Sequence, residues 1–133
     1  MTTASFSLLP VALSSASARK TLRIVLGDWA DEGIRADAAL LLTELVANCV
    51  RHARSPMQIR LTVEHDLLRA EVRDGSALNP IPREPDEHGG RGVLILNALA
   101  SSWGVLGHPG AGKTVWFELA GCDPAVSCHR LAS

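Results

Sequence analysis

Two periodicities alternate along the chain. Ser5 to Leu9 alternates weakly and predicts an edge strand ended by Pro10. Ser14 or Ser15 can cap a helix running to about Ala30, with Leu22, Ile24, Val25, Leu26 and Trp29 on its apolar side. Asp31-Glu32-Gly33 breaks it. A second helix follows from about Arg35 to Ala53, with Leu41, Leu42, Leu45, Val46 and Cys49 as its apolar stripe, and Ser55-Pro56 ends it. Period two then takes over. Ile59, Leu61 and Val63 share one face of a strand Met57–Glu64, His65-Asp66 turns, and Leu68, Ala70 and Val72 form its antiparallel partner. Ser76 to Gly90 holds three prolines and two consecutive glycines, which predicts a long loop of the kind that is usually functional or disordered. A short apolar helix over residues 92–101 and a closing hairpin, Trp103–Leu106 with Thr114–Leu119, complete the pattern.

A strand, two helices, a hairpin, a helix and a hairpin predict an α+β fold. The expected form is a two-layer α/β sandwich, a mostly antiparallel sheet covered on one face by helices. Residues 1–120 form the expected domain and 121–133 a flexible C-terminal tail. The chain of 133 residues is 47% hydrophobic with a net charge of −1. That is enough for one sizeable core, and it argues against direct nucleic-acid binding, which wants a basic surface. No apolar run reaches transmembrane length and no signal-peptide pattern opens the chain, so a cytoplasmic location without membrane attachment is expected. Three cysteines without CxxC spacing (Cys49, Cys122, Cys128) read as free thiols.

Candidate chemistry gathers at three places. Glu44, Asn48 and His52 are four residues apart, which puts them on one helix edge beside the apolar stripe. Asn48 offers a neutral oxygen suited to Mg²⁺, which takes oxygen ligands and shares phosphate oxygens. Glu44, one turn earlier, could polarise a hydroxyl aimed at a phosphate. The same helix also reads as an ordinary amphipathic helix with a polar rim. Asp74, at a strand end, could accept from an exocyclic amine, with Gly75 admitting a flat ring, or the pair could be a plain turn. Gly89-Gly90-Arg91-Gly92 precedes a helix. Such a turn either exposes N–H groups and a guanidinium to phosphate or simply starts the helix. Gly107 to Thr114 matches the P-loop pattern, but the alternating Thr114–Leu119 that follows is a strand, so it is read as a hairpin loop.

Together these residues resemble a known family. Glu44-Leu45-x-x-Asn48-x-x-x-His52-Ala53 resembles the N box of the GHKL (gyrase, Hsp90, histidine kinase, MutL) ATPases, Asp74-Gly75 the G1 box and Gly90-Arg91-Gly92 the G2 box. The closing Gly112–Leu119 segment resembles the anti-sigma-factor serine/threonine kinase branch. The resemblance implies a Bergerat fold binding ATP and Mg²⁺. In it Asn48 is the metal ligand, Glu44 the catalytic base and Asp74 with Gly75 the adenine anchor. Gly90, Arg91 and Gly92 would contact phosphate and Thr114 would join the adenine network. It implies a protein kinase that phosphorylates an anti-sigma-factor antagonist of the STAS type, switches partners, binds a sigma factor and forms a homodimer. The G1 box departs from the usual Asp-x-Gly-x-Gly, since Gly75 follows Asp74 at once and Ser76 comes next. That departure motivates the alternative, a regulatory docking module of the same fold that binds nucleotide weakly or not at all.

Overall fold

The period-two stretches become strands whose burial follows their alternation. The computed structural model describes residues 1–75 and 91–121. The chain runs β1 (Thr2–Leu8), α1 (Ser14–Leu26), α2 (Glu32–Asn48), a π-helical turn (Cys49–Ala53), β2 (Met57–Glu64), β3 (Leu67–Asp74), α3 (Arg91–Leu99), β4 (Ser102–His108) and β5 (Gly112–Ala120). The strands form one five-stranded sheet in the order β1-β2-β3-β5-β4, with every neighbouring pair antiparallel. β5 therefore enters between β3 and β4 after α3 has carried the chain past it. Among the described residues no helix is long and apolar enough to cross a membrane.

One core lies between the helices and one sheet face. Met57, Ile59 and Leu61 of β2, Leu68, Ala70 and Val72 of β3, and Val115, Phe117 and Leu119 of β5 are buried there with Leu22, Leu41, Leu42 and Val46 of the helices. The expected α+β sandwich is the observed fold. On the other face a polar network ties the strands. Arg69 bonds Glu118 at 3.1 Å and lies 4.3 Å from the Trp116 ring centroid. Gly104 makes room for that indole, since a Cβ there would lie 2.8 Å from Trp116 Cζ2.

Several boundaries differ from the sequence expectation for local reasons. β1 begins at Thr2 because it pairs along β2 as far as Val63, from Thr2 opposite Val63 to Leu8 opposite Met57. α1 stops at Leu26 rather than Ala30, where Gly27 turns out at φ 55° and its N–H bonds Arg23 O. Neither serine caps this helix. Leu13 holds the cap position, and Ser14 Oγ donates to Leu9 O instead. Asp31, expected inside a break, is the N-cap of α2, where its Oδ1 accepts from Ile34 N–H at 2.8 Å. Arg35 then clamps the connection by donating to Trp29 O and Ala30 O at 3.1 and 2.6 Å. The P-loop-like stretch is indeed a hairpin. Ala111 N–H bonds His108 O at 2.7 Å, and strands flank it on both sides. The expected loop 76–90 and tail 122–133 lie outside the described residues.

Candidate functional site

The centre of the site is Asp74, the last residue of β3, on the helix-facing side of the sheet. It stands opposite Met57 on β2 and Lys113 on β5 and is 3% exposed. Alternation along β5 explains the partner. Lys113 has the parity of the buried Val115, Phe117 and Leu119, so its side chain enters the core side with them. Lys113 Nζ lies 3.0 Å from Asp74 Oδ2 and 3.2 Å from Oδ1. Sequence reasoning missed this buried ion pair, although the parity of β5 carried the signal.

Helix α2 reaches the same carboxylate. Its continuation, Cys49, donates its thiol to Asp74 Oδ2 at 3.4 Å. Burial pushes the Cys49 thiol from its ordinary 9.0 up to about 12, with the charge and hydrogen bond of Asp74 adding to the rise and Lys113 opposing it. The folded state therefore favours the protonated thiol. Its contribution to stability is complete below pH 9 and is lost as pH climbs towards about 12. At pH 8 the thiol is also a poor nucleophile. With Cys122 and Cys128 replaced by Ser, alkylation of Cys49 by iodoacetamide at pH 8 should run at least ~100-fold slower in the native protein than in urea. Comparable rates in the two states would contradict the buried, hydrogen-bonded thiol.

Glu44 and Asn48 sit on the half-exposed edge of α2. Asn48 Oδ1 accepts from Arg51 at 2.7 Å. His52 is exposed in the π-helical turn, which Arg54 closes at φ 51° with its N–H on Cys49 O. The expected Glu44, Asn48, His52 ladder is thus regular only as far as Asn48, because the wider turn shifts the phase of His52. Such turns recur at functional sites. Among the described residues no cluster of three His, Cys, Asp or Glu is placed to hold a metal. A single helix oxygen from Asn48 is a donor set that fits Mg²⁺ held mainly by phosphate and water.

The end of β3 is fixed on both sides. Gly75 N–H donates to Ser55 Oγ at 2.9 Å. Gly112, at φ 94°, passes so close that a Cβ there would lie 1.9 Å from Asp74 O. Thr114 does not join Asp74, contrary to the expectation for the adenine network. It is one residue out of phase, opposite Arg73, so it faces the other side of the sheet. There it bonds His108 Nε2 at 2.8 Å and lines a groove of about 500 Å³ with Arg60, Arg73 and Leu106. α3 begins at Arg91, so a helix N-terminus stands where the glycine-rich turn predicted one. Of Arg91 and Gly92 only the backbone is described, and Gly90 lies outside the described residues.

The fold has counterparts among known proteins. The fold matches the histidine kinase domain of the EL346 blue-light-activated histidine kinase from Erythrobacter litoralis with a TM-score of 0.55 and 18% sequence identity. The match covers 80% of this chain and 59% of that domain, so the chain spans about three fifths of its length. No curated protein matches. A family model for the histidine kinase-like ATPase domain matches residues 11–119, which take in both α2 and the Asp74 end of the sheet. The chain belongs to the histidine kinase-like ATPase domain family.

Proposed function

We propose that the protein is a cytoplasmic serine/threonine protein kinase of the anti-sigma-factor type. It would bind ATP and Mg²⁺ and regulate transcription by partner switching with an antagonist of the STAS type. The observation that carries the reading is the Cys49–Asp74 contact, which joins the helix bearing Glu44 and Asn48 to the strand-end carboxylate. A base-reading Asp74 and phosphate-end Glu44 and Asn48 would then flank one helix–strand contact. Asp74 would accept from the base, and Asn48 would turn its oxygen from Arg51 to the metal. The N-terminus of α3, with Arg91, would meet the phosphates. Glu44 would take the proton of a seryl or threonyl hydroxyl as its oxygen bonds the terminal phosphorus and the bond to the ADP oxygen breaks. Most of the catalysis would come from position and charge.

The second reading is a docking module of the same fold, and the Lys113–Asp74 ion pair favours it, because Asp74 already has a cationic partner. Incubation with γ-labelled ATP, Mg²⁺ and a STAS-type antagonist separates the two. Label on a serine or threonine of the antagonist, abolished by EDTA, is the expected result. Binding of the antagonist without label transfer would replace the kinase reading with the docking module.

A thermal melt supplies the ligand test. A nucleotide that binds only the folded state at about 100 times its Kd stabilises by roughly 2.7 kcal/mol. At saturating ATP and Mg²⁺ the midpoint should rise by several degrees, on the order expected for a domain of this size. No shift at any soluble nucleotide concentration would remove the nucleotide site.

A further inference from the structure

We infer that the open face of the sheet, the one turned away from the helices, carries a ligand site of its own that takes a small organic phosphate with an apolar body. This does not depend on the nucleotide reading, which concerns the opposite face.

Strand parity builds the site. Gln58 and Arg60 of β2, Glu71 and Arg73 of β3 and Thr114 of β5 alternate with the core residues of their strands, so they point away from the helices. They line a groove of about 500 Å³ that reaches Leu106 and His108 on β4. That volume is in the range of small-molecule sites, about 300–1,000 Å³. Arg60 stands opposite Glu71, and Arg73 opposite Gln58. The two arginines are thus diagonal neighbours, with Cβ atoms about 7–8 Å apart. Guanidinium groups on side chains of that length can meet on one anion.

The charges of the groove are not matched in pairs. Glu71 is turned to Arg69 at 3.9 Å, and Arg69 also holds Glu118 at 3.1 Å and lies over the Trp116 ring. Among the described residues Arg60 and Arg73 make no ion pair and no hydrogen bond, although Glu71 is the direct neighbour of Arg60. Two like charges this close repel, and a shared anion would remove the repulsion.

Phosphate is the head group that fits. A phosphate monoester brings a charge of about −1.5 to −2 and three acceptor oxygens. That suits two guanidinium forks, with the Gln58 amide and the Ser5 and Ser7 hydroxyls lining the same groove. A single carboxylate would answer only one fork. Leu106, 58% exposed, supplies an apolar wall two strands away from Arg73, about 10 Å. Between them Thr114 is 6% exposed and bonded to His108 Nε2 at 2.8 Å, so a buried side chain closes the floor.

The test is an NMR titration of the wild-type chain, without nucleotide or Mg²⁺, that follows the arginine Nε–H signals. The probes are inorganic phosphate, 2-naphthyl phosphate and 2-naphthoate. 2-Naphthyl phosphate should move Arg60 and Arg73 saturably, while Arg19 and Arg23 of α1 move no more than in NaCl of equal ionic strength. Inorganic phosphate should bind about fivefold more weakly for want of the apolar contact. 2-Naphthoate, with one charge, should also bind more weakly. Arg60→Gln and Arg73→Gln should each weaken 2-naphthyl phosphate about five- to tenfold, the size of one partly solvated charge-assisted pair. Leu106→Ser should bring it down to the affinity of inorganic phosphate. All three positions are exposed, so each variant should keep the wild-type melt. Shifts that never saturate, or that Arg23 shares, would mean charge screening and overturn the site. Shifts confined to Arg51 on the helix side would report the nucleotide site and overturn this one. Equal affinity for 2-naphthoate would overturn the phosphate head, and full affinity in a folded Arg60→Gln or Arg73→Gln would overturn the shared anion.

Discussion

Gly112→Ala is expected to lower stability by at least about 3 kcal/mol, the range reserved for strain and severe steric conflict. Two effects combine at this position. The backbone sits at φ 94°, outside the conformations L residues adopt readily, which alone costs roughly 1–2 kcal/mol. The added Cβ would also lie 1.9 Å from Asp74 O and 2.7 Å from Gly75 Cα. Both obstacles are backbone, at the end of the central strand β3 and just past it, so neither can swing aside like the end of a side chain. Either β5 must part from β3 at this end or the Asp74–Gly75 peptide must move, and each route breaks the seat of the Lys113–Asp74 pair. Against a total of about 5–15 kcal/mol such a loss is large. It should lower the melting midpoint by on the order of 10 °C.

The neighbouring glycines supply internal controls. Gly107 has open space around its Cβ position and no left-handed φ, so Gly107→Ala should be close to neutral. Gly110 has open space but φ 73°, so Gly110→Ala isolates the backbone term, at about 1 kcal/mol. Urea unfolding of the three variants then reads strain and collision separately. A Gly112→Ala midpoint no lower than that of Gly110→Ala would show that β3 and β5 do not approach as closely as the structure has them.

Much of this fold was readable because its strands bury one face. In Met57–Glu64 and Gly112–Ala120 the buried apolar residues fall on alternate positions, and a half-buried strand has no other way to place them. Helix ends were less readable. Asp31 has the composition of a break and also of a cap, and only the hydrogen bond to Ile34 N–H decides between them. The π-helical turn left no trace, since five residues are too few to show a changed period. Within the site, Glu44, Asn48 and Asp74 were marked by spacing and residue type. Thr114 was assigned from the motif alone, without its strand parity, and a one-residue slip sends a side chain to the opposite face. Applying to Lys113 the alternation that identified Val115 and Phe117 places an ammonium, rather than a hydroxyl, beside Asp74.

Under the kinase reading, Glu44→Gln should reduce phosphoryl transfer to the antagonist by about 10²–10⁴-fold, the span of general-base contributions. Gln keeps the length and shape of the side chain and removes only the capacity to take a proton. Nucleotide affinity should therefore stay within about twofold, an expectation that follows from a loss felt only in the transition state. Asn48→Ala is expected to behave differently. It removes the helix amide oxygen that this reading gives to Mg²⁺, so it should weaken Mg²⁺-dependent nucleotide binding as well as turnover. Loss of fold is not a competing explanation for this variant. The Asn48–Arg51 bond is solvent-exposed, and its removal should cost only about 0.5–1 kcal/mol, which a melt would register. Single-turnover transfer and nucleotide titration, measured on both variants, make the roles separable. Transfer by Glu44→Gln at the wild-type rate would remove Glu44 from the chemistry. Binding by Asn48→Ala with unchanged Mg²⁺ dependence would place the metal ligand elsewhere in the chain. Loss of transfer in both variants, with binding lost only in Asn48→Ala, would assign proton acceptance to one turn of α2 and metal binding to the next.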